Sequence, residues 1–291
     1  MKKIVVLLVL AAGLSAFASG QDIFASFIDG EAYIQDSGEW YDLFAGDALD
    51  SGSVVKLGAD TVAEIDAGGK KIVLDKPGVY KIKELLEKSV RNASWGDAAV
   101  VKKFITGTNK AASKTAVMGV RGAEAASTSV EWLTEDNMVL ADAKELIEEG
   151  NYMEALSVLS ENRDDVFDEE LPEYDFYLGK CYYITGEPGK ALAAFSRVDP
   201  DPSAEYYPDF VILEGNLFLD SFNFEQALVL FDEYLSKDSV SETAQAVTFF
   251  SAKALNAMGN KEEAGKRLKR ASDMNPASEI GKAAQSILNS F

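Results

Sequence analysis

Lys144, Lys180, Asn216 and Lys253 fall 36, 36 and 37 residues apart. Three cations and one amide at so even a spacing form a candidate ladder of hydrogen-bond donors. Such donors suit carboxylates, so the chemistry they offer is capture of an acidic or C-terminal peptide segment. Tyr183 follows Lys180 by one helical step, and Phe176, Ile212 and Phe249 project nearby at helical spacing. These would add apolar contacts to the same ligand. Lysine is also a favourable solvated helix residue, which accounts for the same positions with no ligand at all.

Other chemistry is hard to find in this chain. It has no histidine, which removes the commonest general base and the usual zinc ligand. Acid pairs such as Glu148-Glu149 and the run Asp168-Glu169-Glu170 read as solvated helix ends and loops. Glycoside hydrolysis needs two carboxylates held at a set distance in a cleft. The stretch GEPGKA, from Gly186 to Ala191, lacks the spacer and the Lys-Ser/Thr pair of a phosphate loop. No Asp-x-Asp-x-Asp-Gly loop points to calcium. The expectation is a non-enzyme without metal or cofactor. With 48 acidic against 28 basic residues, the net charge is −20, and such a chain repels nucleic acid and anionic lipid. Cys181 is the single cysteine. It rules out an internal disulfide and reads as a buried, inert thiol.

The ladder sits inside a repeat. Ala155, Ala191, Ala227 and Ala264 share the 36, 36 and 37 spacing, and a bulky residue follows each by four: Leu159, Phe195, Phe231, Leu268. Before them, Ala143, Gly179, Gly215 and Ala252 each precede an apolar residue by three. Gly150, Gly186 and Gly259 mark the turns, and the third unit carries Phe222 at that place. A period in the thirties encodes helix–turn–helix units that bury their apolar faces only when stacked.

These residues resemble the tetratricopeptide repeat. The second unit carries Leu178-Gly179, Tyr182, Gly186, Ala191, Phe195 and Pro200 of that pattern; the fourth carries Ala264, Leu268, Ala271 and Pro276. The period is slightly longer than the family's, which implies enlarged loops. The resemblance covers residues 135–276 or so. It implies that the position after each small first-helix residue faces a concave groove, and so places the ladder there.

Ahead of the repeats, EAYIQ, SVVKL, TVAEIDAGGKKIVL and GVYKI are short, β-branched and broken by turn residues. The residues Asp66-Ala67-Gly68-Gly69-Lys70 read as a five-residue hairpin connection. Leu43, Gly46, Asp47, Leu49 and Gly52 resemble the FecR domain, as does the later Val120-Arg121-Gly122. That family implies relay of receptor occupancy to a sigma factor, which needs a cytoplasmic segment; only Met1-Lys2-Lys3 precede the first apolar run. Trp40, Trp95 and Trp132 lie outside the repeats and offer a third role, in binding glycans or small ligands.

Lys2-Lys3, an apolar run over residues 4–14 and Ala16-Phe17-Ala18 have the build of a cleaved secretory leader. No cysteine stands near the cleavage site, so lipid attachment is not expected. The expected layout is a leader at residues 1–20, a FecR-like β sandwich or roll at 21–82, a helical insertion at 83–115 and a β return at 116–134. Four tetratricopeptide-like repeats then occupy 135–277, and a capping helix 278–291. The fold class is thus a small β domain followed by an all-α superhelical solenoid. The expected function is that of a periplasmic scaffold binding an envelope protein or peptide, with no membrane span after cleavage.

Overall fold

The computed structural model describes residues 23–92 and 135–290. The expected leader, residues 93–115 of the expected insertion, the expected β return with Arg121, and Trp95 and Trp132 lie outside them. The first part is a β sandwich of eight strands: β1 (Ile23–Asp29), β2 (Ala32–Asp36), β3 (Glu39–Asp42), β4 (Ala48–Leu49), β5 (Val54–Leu57), β6 (Val62–Ala67), β7 (Lys70–Leu74) and β8 (Gly78–Lys81). They form two antiparallel sheets, ordered β4-β1-β6-β7 and β3-β2-β5-β8. Alternation explains the core. Ala25, Val55, Leu57, Ala63, Ile65, Ile72 and Leu74 point between the sheets and are buried. Helix α1 (Ile82–Asn92) continues from β8 and adds Ile82 and Leu85 to this core.

The hairpin β6–β7 is tighter than its sequence suggests. Asp66, Ala67 and Lys70 belong to the strands, which leaves only Gly68 and Gly69 in the turn. Their φ angles of 65° and 86° are those of the turn that matches strand twist, which glycine adopts without strain. The Gly69 N–H donates to the Asp66 carboxylate at 2.6 Å.

Among the described residues, nine further α-helices follow. They are α2 (Glu135–Glu149), α3 (Tyr152–Glu161), α4 (Leu171–Thr185), α5 (Pro188–Phe195), α6 (Tyr207–Asp220), α7 (Phe224–Lys237), α8 (Glu242–Ala257), α9 (Lys261–Met274) and α10 (Glu279–Ser290). They pack as four hairpins, α2/α3 to α8/α9, with α10 closing against α8 and α9. Small and large residues set each crossing. A Cβ on Gly179 would lie 2.4 Å from the Phe195 ring, and one on Gly215 would lie 2.1 Å from Phe231. The aromatic ring of the second helix therefore fills the space that glycine leaves on the first. Ala191 and Ala227 are wholly buried at these crossings. Ala191→Leu and Ala227→Leu are each expected to cost about 1–3 kcal/mol by overpacking, read as a lower midpoint in urea; unchanged midpoints would contradict the packing.

The sandwich does not stand apart from the hairpins. Val62 and Val73, on the outward side of β6 and β7, belong to the helical core together with Leu192 and Phe210. Strand β6 is therefore buried on both faces, which its alternating sequence does not announce.

Candidate functional site

The structure redraws the ladder. Lys180 is 2% exposed and its Nζ lies 2.7 Å from the Asp209 carboxylate on the next hairpin. Lys144 pairs in the same way with Glu173 on α4. Each carboxylate stands 29 residues after its lysine, since 173 − 144 and 209 − 180 are equal. Asn216 is 3% exposed and its amide donates to its own helix at the Ile212 carbonyl, 2.7 Å away. The repeat places Ala246 where this unit would need the acid, so lysine and carboxylate are absent together. Lys253 is buried within α8, whose residues from Ala244 to Leu255 are all buried. Tyr183 is half-buried against the helical core. The expectation of an open, solvent-facing basic row is thus corrected. Two of the lysines are rungs between successive hairpins: Lys144 stays partly exposed, whereas burial of the Lys180 charge is tolerable because it is paired.

The surroundings of the rungs are acidic. Burial, then the charges of Glu173, Glu205, Asp209 and Glu148, push the Tyr177 hydroxyl far above its ordinary pKa. Cys181, wholly buried, has its thiol pushed up to about 12 by burial. A thiol so held is inert at neutral pH.

A junction missed by sequence reasoning joins the sandwich to the hairpins. Glu64, on β6, is 2% exposed. Its carboxylate accepts from the Ser26 hydroxyl at 2.7 Å and the Gly189 N–H at 2.8 Å, and pairs with Lys71 at 2.9 Å. Glu64 so caps the first turn of α5 from another domain. A Cβ on Gly189 would lie 2.8 Å from the Glu64 Cβ and 3.0 Å from the Phe27 ring, so only glycine admits the sheet this closely. This is the role of the glycine in GEPGKA. One hairpin further on, Phe222 takes the turn position with a φ of 63° and packs against the sandwich core. A left-handed phenylalanine costs ~1–2 kcal/mol locally, which burial of its ring offsets. The neighbouring Asn223 amide donates to the Asp75 carboxylate. The sequence signals were present: a phenylalanine in a glycine position, and an acid inside an apolar strand.

Among the described residues, two open surfaces bear on binding. On the outer face of β3-β2-β5, the Lys56 ammonium lies 4.5 Å from the Tyr33 ring centre and 4.9 Å from that of Trp40. On the helical part, a cavity of about 780 Å³ opens between α3 and the end of α4, beside Tyr152, Met153, Ser157 and Ile184.

No protein-family profile matches the chain, and no curated protein matches it. Among solved structures, the chain is similar to "MamA RS-1 ArsTM double mutant" at 14% identity, over 54% of this chain and 93% of that one, with a TM-score of 0.43. It is similar to "MamA MSR-1 C2" at 20% identity, over 53% and 84%, with a TM-score of 0.38. Likenesses this slight carry no functional argument.

Proposed function

We propose that the protein is a non-enzymatic scaffold of the bacterial periplasm, in which a tetratricopeptide-type stack holds a partner protein or peptide and a FecR-like sandwich is fixed to its edge. The observation that supports this reading most is the junction. Buried Glu64 and Gly189, with half-buried Phe222, join two modules into one preorganised platform, and preorganisation lowers the ordering cost of binding. No helix among the described residues is long and apolar enough to cross a membrane. The full chain, cross-linked in cells and recovered from the periplasmic fraction, is expected to carry one partner in constant ratio and to lack its first 18 to 20 residues by intact mass. Recovery as an uncleaved, partner-free chain would overturn the reading.

A second reading has its own observation. Tyr33 and Trp40 flank an ammonium on an open sheet face, an arrangement suited to stacking a sugar ring beside a hydrogen-bond donor. Titration of cell-wall glycan fragments against tryptophan fluorescence should then give a saturable change that Trp40→Ala removes. A linear response in both proteins would exclude it.

A further inference from the structure

The open cavity beside α3 occupies, one repeat earlier, the position at which the sandwich sits on the next hairpin. Residues Asn151, Tyr152 and Met153 correspond, 36 positions earlier, to Glu187, Pro188 and Gly189. At Gly189 an extended strand pair lies on the helical turn, with the Phe27 ring against the glycine. The two places are also physically linked. Ile184 and Thr185 line the cavity, while Tyr182 of the same turn lies 5.4 Å below the Lys190 ammonium, which feels the Glu64 charge at the junction.

The occupant differs from Phe27 and Glu64 in sign. Met153 is 68% exposed at the lip, with Tyr152 and Ile184 as apolar walls. A methionine adapts to varied apolar partners. Around it stand carboxylates: Glu154 lines the cavity, and Glu149 accepts from the Asn151 amide at 2.9 Å. The whole chain carries −20. The surface therefore favours an apolar anchor flanked by cations, and repels acidic segments.

We infer that this cavity docks an extended segment of a partner protein, with one aromatic or aliphatic side chain against Met153 and adjacent Lys or Arg facing Glu149 and Glu154. The inference rests on the scaffold reading and names its surface and partner chemistry. It departs from the acidic ligand that the lysine spacing suggests.

A random peptide library displayed on phage and panned against the full chain tests it. Enriched peptides are expected to carry an apolar anchor beside Lys or Arg, and their synthetic copies to bind more weakly as salt rises. Met153→Asp and Ser157→Arg, both at exposed positions, should each weaken them at least tenfold. Val229→Asp, at an exposed apolar position on α7, should not. Peptides that bind both cavity variants as tightly as the parent would overturn the docking site while leaving the scaffold reading intact. Enrichment of acidic peptides would overturn the charge assignment. A library that yields no binder at all would count against both.

Discussion

Asp175→Ala is expected to lower folding stability by about 3 kcal/mol, more than any surface change in the hairpins. Asp175 is 1% exposed and lies between two guanidinium groups. Arg163 meets both carboxylate oxygens, at 3.0 and 2.7 Å, and Arg197 meets one of them through two nitrogens, at 3.2 and 3.0 Å. The carboxylate thereby ties α4 to the short turn after α3 and to the chain after α5. The two arginine side chains are 36% and 39% exposed, so on loss of the acid they relax into water. That places the cost at the low end of the range of about 3–5 kcal/mol for breaking a buried pair. Burial alone would raise the Asp175 pKa, but the hydrogen bonds and charges of the two arginines outweigh it and hold it below the ordinary value. A depressed folded pKa means that the contribution is present above the ordinary value of 3.8 and is lost as pH falls through the lower folded one. The difference in urea midpoint between the parent and Asp175→Asn should therefore be full at pH 7 and shrink below about pH 4. Equal midpoints at pH 7 would show that the arginines contribute nothing net.

The repeat is the part of the fold that could be read directly. Gly179 and Gly215 face Phe195 and Phe231 because two helices can cross only where one side is small, and that rule leaves its mark at fixed spacing. The same periodicity obscured what the positions do. Asp175 corresponds to Val139, Val211 and Thr248 in the other units, so its one departure from the pattern was a stronger signal than the regular lysines. The ladder was legible as a row, but the pairing of Lys144 and Lys180 was not, because their carboxylates come from the next hairpin, 29 residues away, and spacing within one helix does not show them. Strand β6 misleads in the opposite way. Alternation correctly sends Ala63 and Ile65 into the sandwich. It also sends Glu64 outward, where a one-domain view expects water and the structure has Gly189. Contacts between domains answer to neither helical nor strand period, which is why Phe222, Gly189 and Glu64 surfaced only in three dimensions.

The junction is expected to weaken as pH rises from about 5 to about 8. Glu214, on α6, is half-buried, and burial followed by the charge of Asp75 pushes its pKa up to about 8 from an ordinary 4.5. Asp75 is itself raised by burial, against the lowering effect of the Asn223 hydrogen bond. Both acids therefore prefer their protons in the folded chain. For Glu214 the sign follows directly. The folded state binds the proton more tightly than the unfolded one, so the stability it contributes is complete below about pH 4.5 and is lost as pH climbs through about 8. At about 1.4 kcal/mol per pH unit the ceiling is about 5 kcal/mol, and partial access to water lowers the expected effect to about 2–3 kcal/mol. The window is unusually clean because the chain has no histidine to titrate in it. Thermal melts of the parent should show a midpoint falling steadily between pH 5 and 8.5. Glu214→Gln, which keeps the shape and removes the charge, should flatten that slope and be the more stable protein at pH 8.5. Glu225→Gln, at an exposed position on α7, should follow the parent. Parallel curves for the parent and Glu214→Gln would show that Glu214 reaches water freely at every pH and makes no pH-dependent contribution to the contact between sandwich and hairpins.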